Sequence, residues 1–181
     1  VVLYIDIMSK KIIITGKRNI DSFKEKKEEK KRKESKKWEN IKILSKDDNH
    51  NQIKILNKLY LNETYEGEKY VKQEINKKRT SYKNQDVKKS KYDINYFITY
   101  DEIIEKLVLS QLKCYYCRCE CLLMYKNVRE KKQWTLDRIN NDIGHYKDNV
   151  VICCLECNLK KGTKNDAHYK FAKQMKIIKT F

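Results

Sequence analysis

The sequence predicts a small α+β fold in the last part of the chain, residues 99–181. Apolar segments of strand length occur there beside segments whose apolar residues recur at helical spacing. All seven cysteines lie between Cys114 and Cys157, and they include two Cys-x-x-Cys pairs. A module of this size buries a small core, so a bound metal would supply much of its folding free energy.

The first predicted element of this module is a helix of about three turns that begins after Thr99. Thr99 is followed three residues later by Glu102, a spacing typical of a capping box. The apolar residues that follow recur at helical spacing, and they are Ile103, Ile104, Leu107 and Val108. The first Cys-x-x-Cys pair comes directly after this helix.

Two short strands and two further helices are predicted beyond the first cysteine pair. Residues 133–139 and 149–153 have the composition of strands, and residues 155–161 begin a helix. A terminal helix follows Gly162, and its apolar stripe is expected to pack on the core. The members of that stripe are Ala167, Phe171, Met175 and Ile178.

Residues 1–98 are predicted to form a basic extension that is partly helical and partly disordered. The apolar runs 1–8 and 12–15 predict a hairpin, and the interleaved Lys and Glu of residues 24–37 suit a solvated helix. Ile53, Leu56 and Tyr60 indicate one face of another helix, whereas residues 69–91 show no clear period. Such stretches bury too little apolar surface to repay their ordering entropy alone.

The charge of the chain points to a polyanionic partner. Lys and Arg number 42 against 25 Asp and Glu, a formal charge of +17. No apolar run approaches the roughly 18 residues that span a bilayer, so nucleic acid is favoured over a membrane. Lys supplies 36 of the basic residues, and Pro is absent. A coding sequence rich in A and T would give the same bias, so the charge alone leaves a merely solvated surface open.

The beginning of the chain does not resemble a signal peptide, because the apolar run is short and contains Asp6. We therefore expect an intracellular, reducing compartment, in which paired cysteines bind metal rather than form disulfides. The chain has no initiating Met, which leaves open that it is a fragment.

The two cysteine pairs predict a structural Zn²⁺ site. Two residues between thiolates let both sulfurs reach one ion at about 2.3 Å, and two such pairs complete a tetrahedron with no open position. The predicted ligands are Cys114, Cys117, Cys154 and Cys157. Cys153 could in principle replace Cys154, but only Cys154 has the two-residue spacing to Cys157. Ordinary buried or reactive cysteines are the alternative, and Cys119 and Cys121 are further candidates.

Three segments lie between and beside these pairs: TLDRI at 135–139, GHYKDNV at 144–150 and CLECNLKKG at 154–162. Together, in this order and at these distances, they resemble the HNH endonuclease family in its zinc-ribbon form. The resemblance covers Cys114 to Gly162, and more loosely the flanking helices. It does not reach residues 1–98.

The resemblance implies a ββα-metal (His-Me finger) module in which two antiparallel strands and a helix hold one divalent ion. Asp137 would be a metal-binding carboxylate, and Asn158 would be the second ligand, at a position where family members have His or Asn. Asn149 would tie the loop and orient the catalytic base. An Asp/Asn oxygen pair suits Mg²⁺ or Mn²⁺. Singly, each residue could instead cap a helix or pin a turn.

The chemistry that the resemblance implies is hydrolysis of a phosphodiester. The metal would polarise the phosphate and stabilise the leaving 3′ oxygen, while a base activates water. Beside the helix, three lysines are candidate phosphate contacts, namely Lys160, Lys161 and Lys164.

The sequence departs from the family at the general base. The family usually has His directly after the metal-binding Asp, and Arg138 stands there in this chain. A guanidinium cannot accept a proton at neutral pH. His145, four residues before Asn149, is the candidate for this role, because imidazole suits general-base work near neutral pH. Metal-bound hydroxide or bulk water is the alternative.

The sequence therefore predicts a metal-dependent endonuclease that acts on duplex or branched DNA. One alternative is a zinc-stabilised module that binds nucleic acid and has lost its chemistry. Another is a zinc ribbon that serves only protein interaction, but it gives no reason for Asp137, Asn149 and Asn158 to occur together.

Overall fold

The computed structural model describes residues 49–175, the backbone of two strands near the start of the chain, and residues 17, 33 and 34. The chain divides into two compact units, Val1–Lys33 and Glu34–Phe181. Residues 49–98 thus share a unit with the cysteine-rich part.

The first unit contains an antiparallel hairpin. Strand β1, Leu3–Ile7, pairs with strand β2, Lys10–Ile14, so that Leu3 lies opposite Ile14. The predicted hairpin is confirmed. The predicted solvated helix at 24–37 lies outside the described residues, apart from Lys33 and Glu34.

The second unit begins, in its described part, with three helices: α1 (Asn49–Tyr60), α2 (Glu68–Lys88) and α3 (Tyr100–Ser110). Both α1 and α2 pack against α3. The helix predicted around Leu56 is confirmed as α1; Leu56 is buried, whereas Tyr60 is exposed. No helix within the described residues has both the length and the apolar composition that a bilayer span requires.

Helix α2 runs through the segment whose sequence has no clear apolar period. Its buried residues Val71, Ile75, Tyr82 and Asp86 nevertheless lie on one face, at helical spacing. Lys78 falls on the same face and is partly buried. Two of the five positions on this face are charged, so the apolar residues alone do not show the helical period.

Helix α3 begins as predicted. The Thr99 hydroxyl accepts a hydrogen bond from the Glu102 amide at 3.3 Å, and the Glu102 carboxylate accepts one from the Thr99 amide at 2.8 Å. This is a complete capping box. Ile103, Ile104 and Leu107 are buried, as the apolar spacing predicts.

A two-stranded antiparallel sheet and a short helix carry the predicted motifs. Strand β3, Trp134–Arg138, pairs with β4, Val150–Cys154, and a 3-10 helix at Lys147–Asn149 leads into β4. Helix α4, Leu155–Lys161, follows without a loop and packs on both strands. The α+β class is therefore confirmed.

Helix α5, Asp166–Gln174, differs from its prediction. The stripe expected in the core is exposed instead at Ala167, Phe171 and Met175, and Ile178 lies outside the described residues. The helix is anchored through a different residue, Tyr169, whose ring packs edge-on against Tyr116 at 5.1 Å. The Gln174 amide adds hydrogen bonds to backbone carbonyls of Tyr115 and Tyr116.

Candidate metal and catalytic sites

Four cysteines form a compact cluster. The Sγ atoms of Cys114, Cys117, Cys154 and Cys157 all lie within 4.8 Å of one another, and those of Cys117 and Cys154 are 3.9 Å apart. A tetrahedral zinc with bonds of about 2.3 Å separates its sulfurs by about 3.8 Å. The cluster can therefore hold a metal ion such as zinc, through the four predicted residues.

A local structural feature positions each of the two cysteine pairs. The first lies in a tight turn closed by a bridge between Lys113 and Glu120, and Arg118 adopts the left-handed conformation there (φ 59°). The second spans the junction of β4 and α4. Cys154 is the N-cap of α4, and its Sγ accepts a hydrogen bond from the Cys157 amide at 3.4 Å.

Of the remaining three cysteines, Cys119 and Cys121 lie beside Cys114, whereas Cys153 has a different environment. Cys153 precedes Cys154 on β4, and neighbouring residues of a strand point to opposite faces. Its Sγ lies 3.3 Å from the Thr135 hydroxyl, and burial raises the pKa of the Cys153 thiol well above its usual range. With its side chain on the opposite face of β4 from Cys154, Cys153 is not part of the cluster.

Hydrogen bonds from Cys119 and then Cys121 lower the pKa of Cys114, which favours its thiolate.

A cleft of about 470 Å³ lies between α2 and the sheet. Four of the five predicted catalytic residues line it, and they are Asp137, Arg138, His145 and Asn158. Helix α2 contributes Tyr82, and the segment after it contributes Lys89 and Lys91. Residues that are distant in sequence thus share one solvent-accessible space.

Asp137 is held through one carboxylate oxygen. Its Oδ2 accepts a hydrogen bond of 2.6 Å from the Tyr116 hydroxyl and lies 3.0 Å from the Lys161 ammonium. Tyr116 belongs to the turn of the first cysteine pair, so it links that turn to Asp137. Within the described residues, Oδ1 of Asp137 receives no hydrogen bond.

Asn158 is likewise held from one side. Its Nδ2 donates to the Thr135 hydroxyl and to the Leu136 carbonyl, at 3.1 Å each. These bonds fix the amide against β3. In the described part of the chain its Oδ1 has no donor, so Asp137 and Asn158 each leave one oxygen unused beside the cleft.

Asn149 pins the loop between the strands. Its Oδ1 accepts a hydrogen bond from the Asn140 amide, and its Nδ2 donates to the carbonyls of Asn140 and Gly144, all at 2.9 Å. The side chain is buried, and every one of these contacts is to the loop. Asn149 thus ties together the two ends of this loop.

His145 is buried beside the cleft and is held by Asp86 of α2. The Nδ1 of His145 lies 2.8 Å from Oδ1 of Asp86, and the His145 amide donates to Oδ2 at 2.6 Å. The ring of Tyr82 packs on the imidazole at 4.7 Å. Burial lowers the pKa of His145 below its usual 6.5, although Asp86 opposes this shift. This shift favours the neutral imidazole.

Arg138 lies close to the same carboxylate. Its Nη1 donates to the Ile143 carbonyl at 3.2 Å and lies 3.9 Å from Oδ1 of Asp86. Arg138 and His145 thus both face Asp86.

The three candidate phosphate-binding lysines differ from one another. Lys160 and Lys164 are exposed, and Lys160 pairs with Glu156 at 2.5 Å. Lys161 is only 1% exposed, and its ammonium donates to the Arg138 carbonyl at 2.7 Å. This corrects the expectation for Lys161, because its burial keeps it away from a phosphate.

The sequence interpretation missed three residues of the site: Tyr82, Asp86 and Tyr116. Tyr82 and Asp86 lie in α2, some 60 residues before the loop that they contact. The four-residue spacing of Val71–Ile75 and of Tyr82–Asp86 was the available signal. For Tyr116 the signal was its place between the two cysteines of the first Cys-x-x-Cys pair.

Comparisons with known proteins assign the chain to no family. No family model matches it, and no solved structure matches it significantly. It is 46% identical over 61 residues to an uncharacterized protein, R423, of Acanthamoeba polyphaga mimivirus. That match covers 34% of this chain and 10% of the viral protein, so the chain spans about a tenth of its relative.

Proposed function

We propose that this chain is a metal-dependent endonuclease that hydrolyses DNA phosphodiester bonds through an HNH-type site. The observation that carries the proposal is the meeting of Asp137, His145 and Asn158 at one cleft. They come from a strand, a loop and a helix, and they supply two oxygen donors and a neutral imidazole. These are the groups that such a hydrolysis requires.

The order of the elements supports the proposal. Strand β3, the loop pinned by Asn149, strand β4 and helix α4 follow one another as the elements of a ββα-metal module do. The cysteine cluster lies beside them, where a zinc ion with four thiolate ligands would have a structural role.

The unused oxygens of Asp137 and Asn158 fit a hard divalent cation. Carboxylate and amide oxygens are preferred ligands of Mg²⁺ and Mn²⁺. When bound, such an ion would supply Lewis-acid polarisation of the phosphate and stabilisation of charge on the leaving oxygen. Tyr116 and Lys161 would orient Asp137 for this role by holding its other oxygen.

His145 is the group suited to accept a proton from water. Asp86 occupies its Nδ1, so Nε2 is the nitrogen left for a substrate water. Arg138 remains cationic, and in this proposal its guanidinium stabilises the charge of the phosphate instead.

Cationic side chains near the cleft support DNA as the substrate. Lys89 and Lys91 line it together with Arg138. An adjoining hollow of about 600 Å³ shares Tyr82 and Asn158 with the cleft and adds Lys77 and Arg129. A backbone that followed both hollows would place its phosphates near these cations.

One observation favours a different function, a zinc-stabilised module that binds nucleic acid without cutting it. The Lys161 ammonium lies 3.0 Å from the carboxylate that would hold the catalytic ion. A buried cation there competes electrostatically with a divalent metal.

The test is nicking of supercoiled plasmid by the zinc-loaded protein with Mg²⁺ or Mn²⁺. We expect nicked circles from the wild type and none from Asn158→Ala, because the variant lacks the amide oxygen. Asn57→Ala is the matched control, since Asn57 is an exposed amide on α1. Zinc content and thermal unfolding of both variants report on the fold.

Two results would overturn parts of the proposal. Cleavage by Asn158→Ala at the wild-type rate removes Asn158 from the site. If the wild type retards DNA in a gel but nicks it with neither ion, the binding module becomes the function.

A further inference from the structure

We infer that Asp86 is the positioning residue of His145. It fixes the imidazole in the tautomer protonated at Nδ1, so that Nε2 can accept a proton from a water in the cleft. This inference rests on the proposed function, in which His145 is the base. It assigns a role to α2, a part of the chain that the HNH-like segment does not include.

The contact is a two-point clamp. One carboxylate oxygen of Asp86 meets the imidazole Nδ1 at 2.8 Å, and the other accepts the His145 amide at 2.6 Å. Both oxygens therefore engage the same residue, and the Asp86 side chain is fully buried. A clamp at the ring and at the backbone removes the freedom of His145 to rotate or flip.

The loop is shaped to permit this approach. A Cβ atom at Gly144 would lie 2.4 Å from the Lys91 carbonyl oxygen and 2.9 Å from Oδ2 of Asp86. Only glycine lets the loop come this close to the end of α2. The Asn149 amide holds the Gly144 carbonyl from the other side.

The clamp determines which nitrogen is basic. An ionised carboxylate accepts hydrogen bonds and donates none, so the proton of the neutral imidazole lies on Nδ1. The lone pair then lies on Nε2. The ring contacts Tyr82 and Asp86 of α2, and the charges of Arg138 and Asp137 on β3 also act on it.

The first experiment measures the tautomer directly, by ¹⁵N NMR of the zinc-loaded full chain labelled at histidine. The chain has three histidines, and His145→Gln identifies the signal. At pH 7 we expect a protonated Nδ1 and a bare Nε2 at His145, and the reverse in Asp86→Asn, whose amide can donate to Nδ1. A wild-type ring protonated at Nε2 would overturn the inference.

The second experiment measures plasmid nicking by Asp86→Asn, with Gln73→Ala as the control, because Gln73 is exposed on α2 and lines neither the cleft nor the adjoining hollow. We expect kcat to fall by about 10²- to 10⁴-fold, as loss of an imidazole-orienting carboxylate or of a general base does. The Kd for DNA should stay unchanged. Because Asp86 raises the pKa of His145, the acid limb of the pH–rate profile should also move to lower pH.

The results separate this inference from the proposed function. If wild type and Asp86→Asn nick DNA equally, with the same acid limb, Asp86 is not the positioning residue and the nuclease stands. An Asp86→Asn protein that loses zinc or its near-ultraviolet circular dichroism has failed to fold. The tautomer measured in the wild type then tests the inference by itself. A wild type that never nicks overturns the nuclease, and with it the role of Asp86 in catalysis.

Discussion

The ammonium of Lys161 lies 3.0 Å from Oδ2 of Asp137, and both side chains are almost fully buried. The pair joins the end of α4 to β3. Removing one partner of a buried ion pair leaves the other charge without compensation, which commonly costs roughly 3–5 kcal/mol. We therefore expect Lys161→Met to lower the free energy of unfolding by about that amount, as measured by urea denaturation.

Lys160→Met is the matched control for that variant. Lys160 is the preceding residue of α4, but it is exposed and pairs with Glu156 at the surface. Such pairs contribute at most about 1 kcal/mol. Equal losses in the two variants would show that burial of the Lys161–Asp137 pair does not govern stability.

The composition of the cysteine cluster predicts a sharp difference in zinc binding between two adjacent residues. Cys154→Ser should lose bound zinc and much of the folded structure, whereas Cys153→Ser should retain about one zinc per chain. Elemental analysis and circular dichroism measure both effects. A chelator should unfold the wild type in the same way. Zinc retained by Cys154→Ser would show that another cysteine completes the site.

The sequence was sufficient to predict the elements whose signals are local. The capping box at Thr99 and Glu102, the two short strands and the start of α4 all depend on neighbouring residues, and the structure contains them. The four members of the cysteine cluster follow from spacing, because a two-residue gap lets both thiolates of a pair reach one metal ion.

The sequence was insufficient to predict which helix faces are buried, because tertiary packing determines this. The stripe of α5 has the helical period of a core face, yet Phe171 is 70% exposed because the helix is docked through Tyr169. Conversely, the buried face of α2 contains Lys78 and Asp86, which a hydrophobic pattern treats as surface. Asp86 is buried because His145 pairs with it, and no local signal encodes a partner 59 residues away.

The burial of His145 predicts a pH dependence of stability. Burial lowers its pKa in the folded chain below the unfolded value near 6.5, so the unfolded state binds more protons in acid. The stability contributed by His145 is therefore present above pH 6.5 and is lost as the pH falls through the folded pKa. We expect urea denaturation between pH 7.5 and 5.5 to show this loss, and a shallower dependence in His145→Gln. His168 is exposed, so an equally shallow pH dependence in His168→Gln would contradict the assignment of this dependence to His145.

The cations beside the cleft predict the salt dependence of DNA binding. Each phosphate contact contributes about 0.9 to the slope of log affinity against log salt concentration on duplex DNA. Lys77 and Lys89 are exposed and line the two adjoining hollows. The double variant Lys77→Ala/Lys89→Ala should therefore bind more weakly at low salt, with a slope smaller by about 1–2.

Lys54→Ala/Lys58→Ala removes the same charge from exposed positions on α1, and its slope should equal that of the wild type. Equal slopes for both double variants, measured by fluorescence anisotropy, would mean that DNA does not follow these hollows.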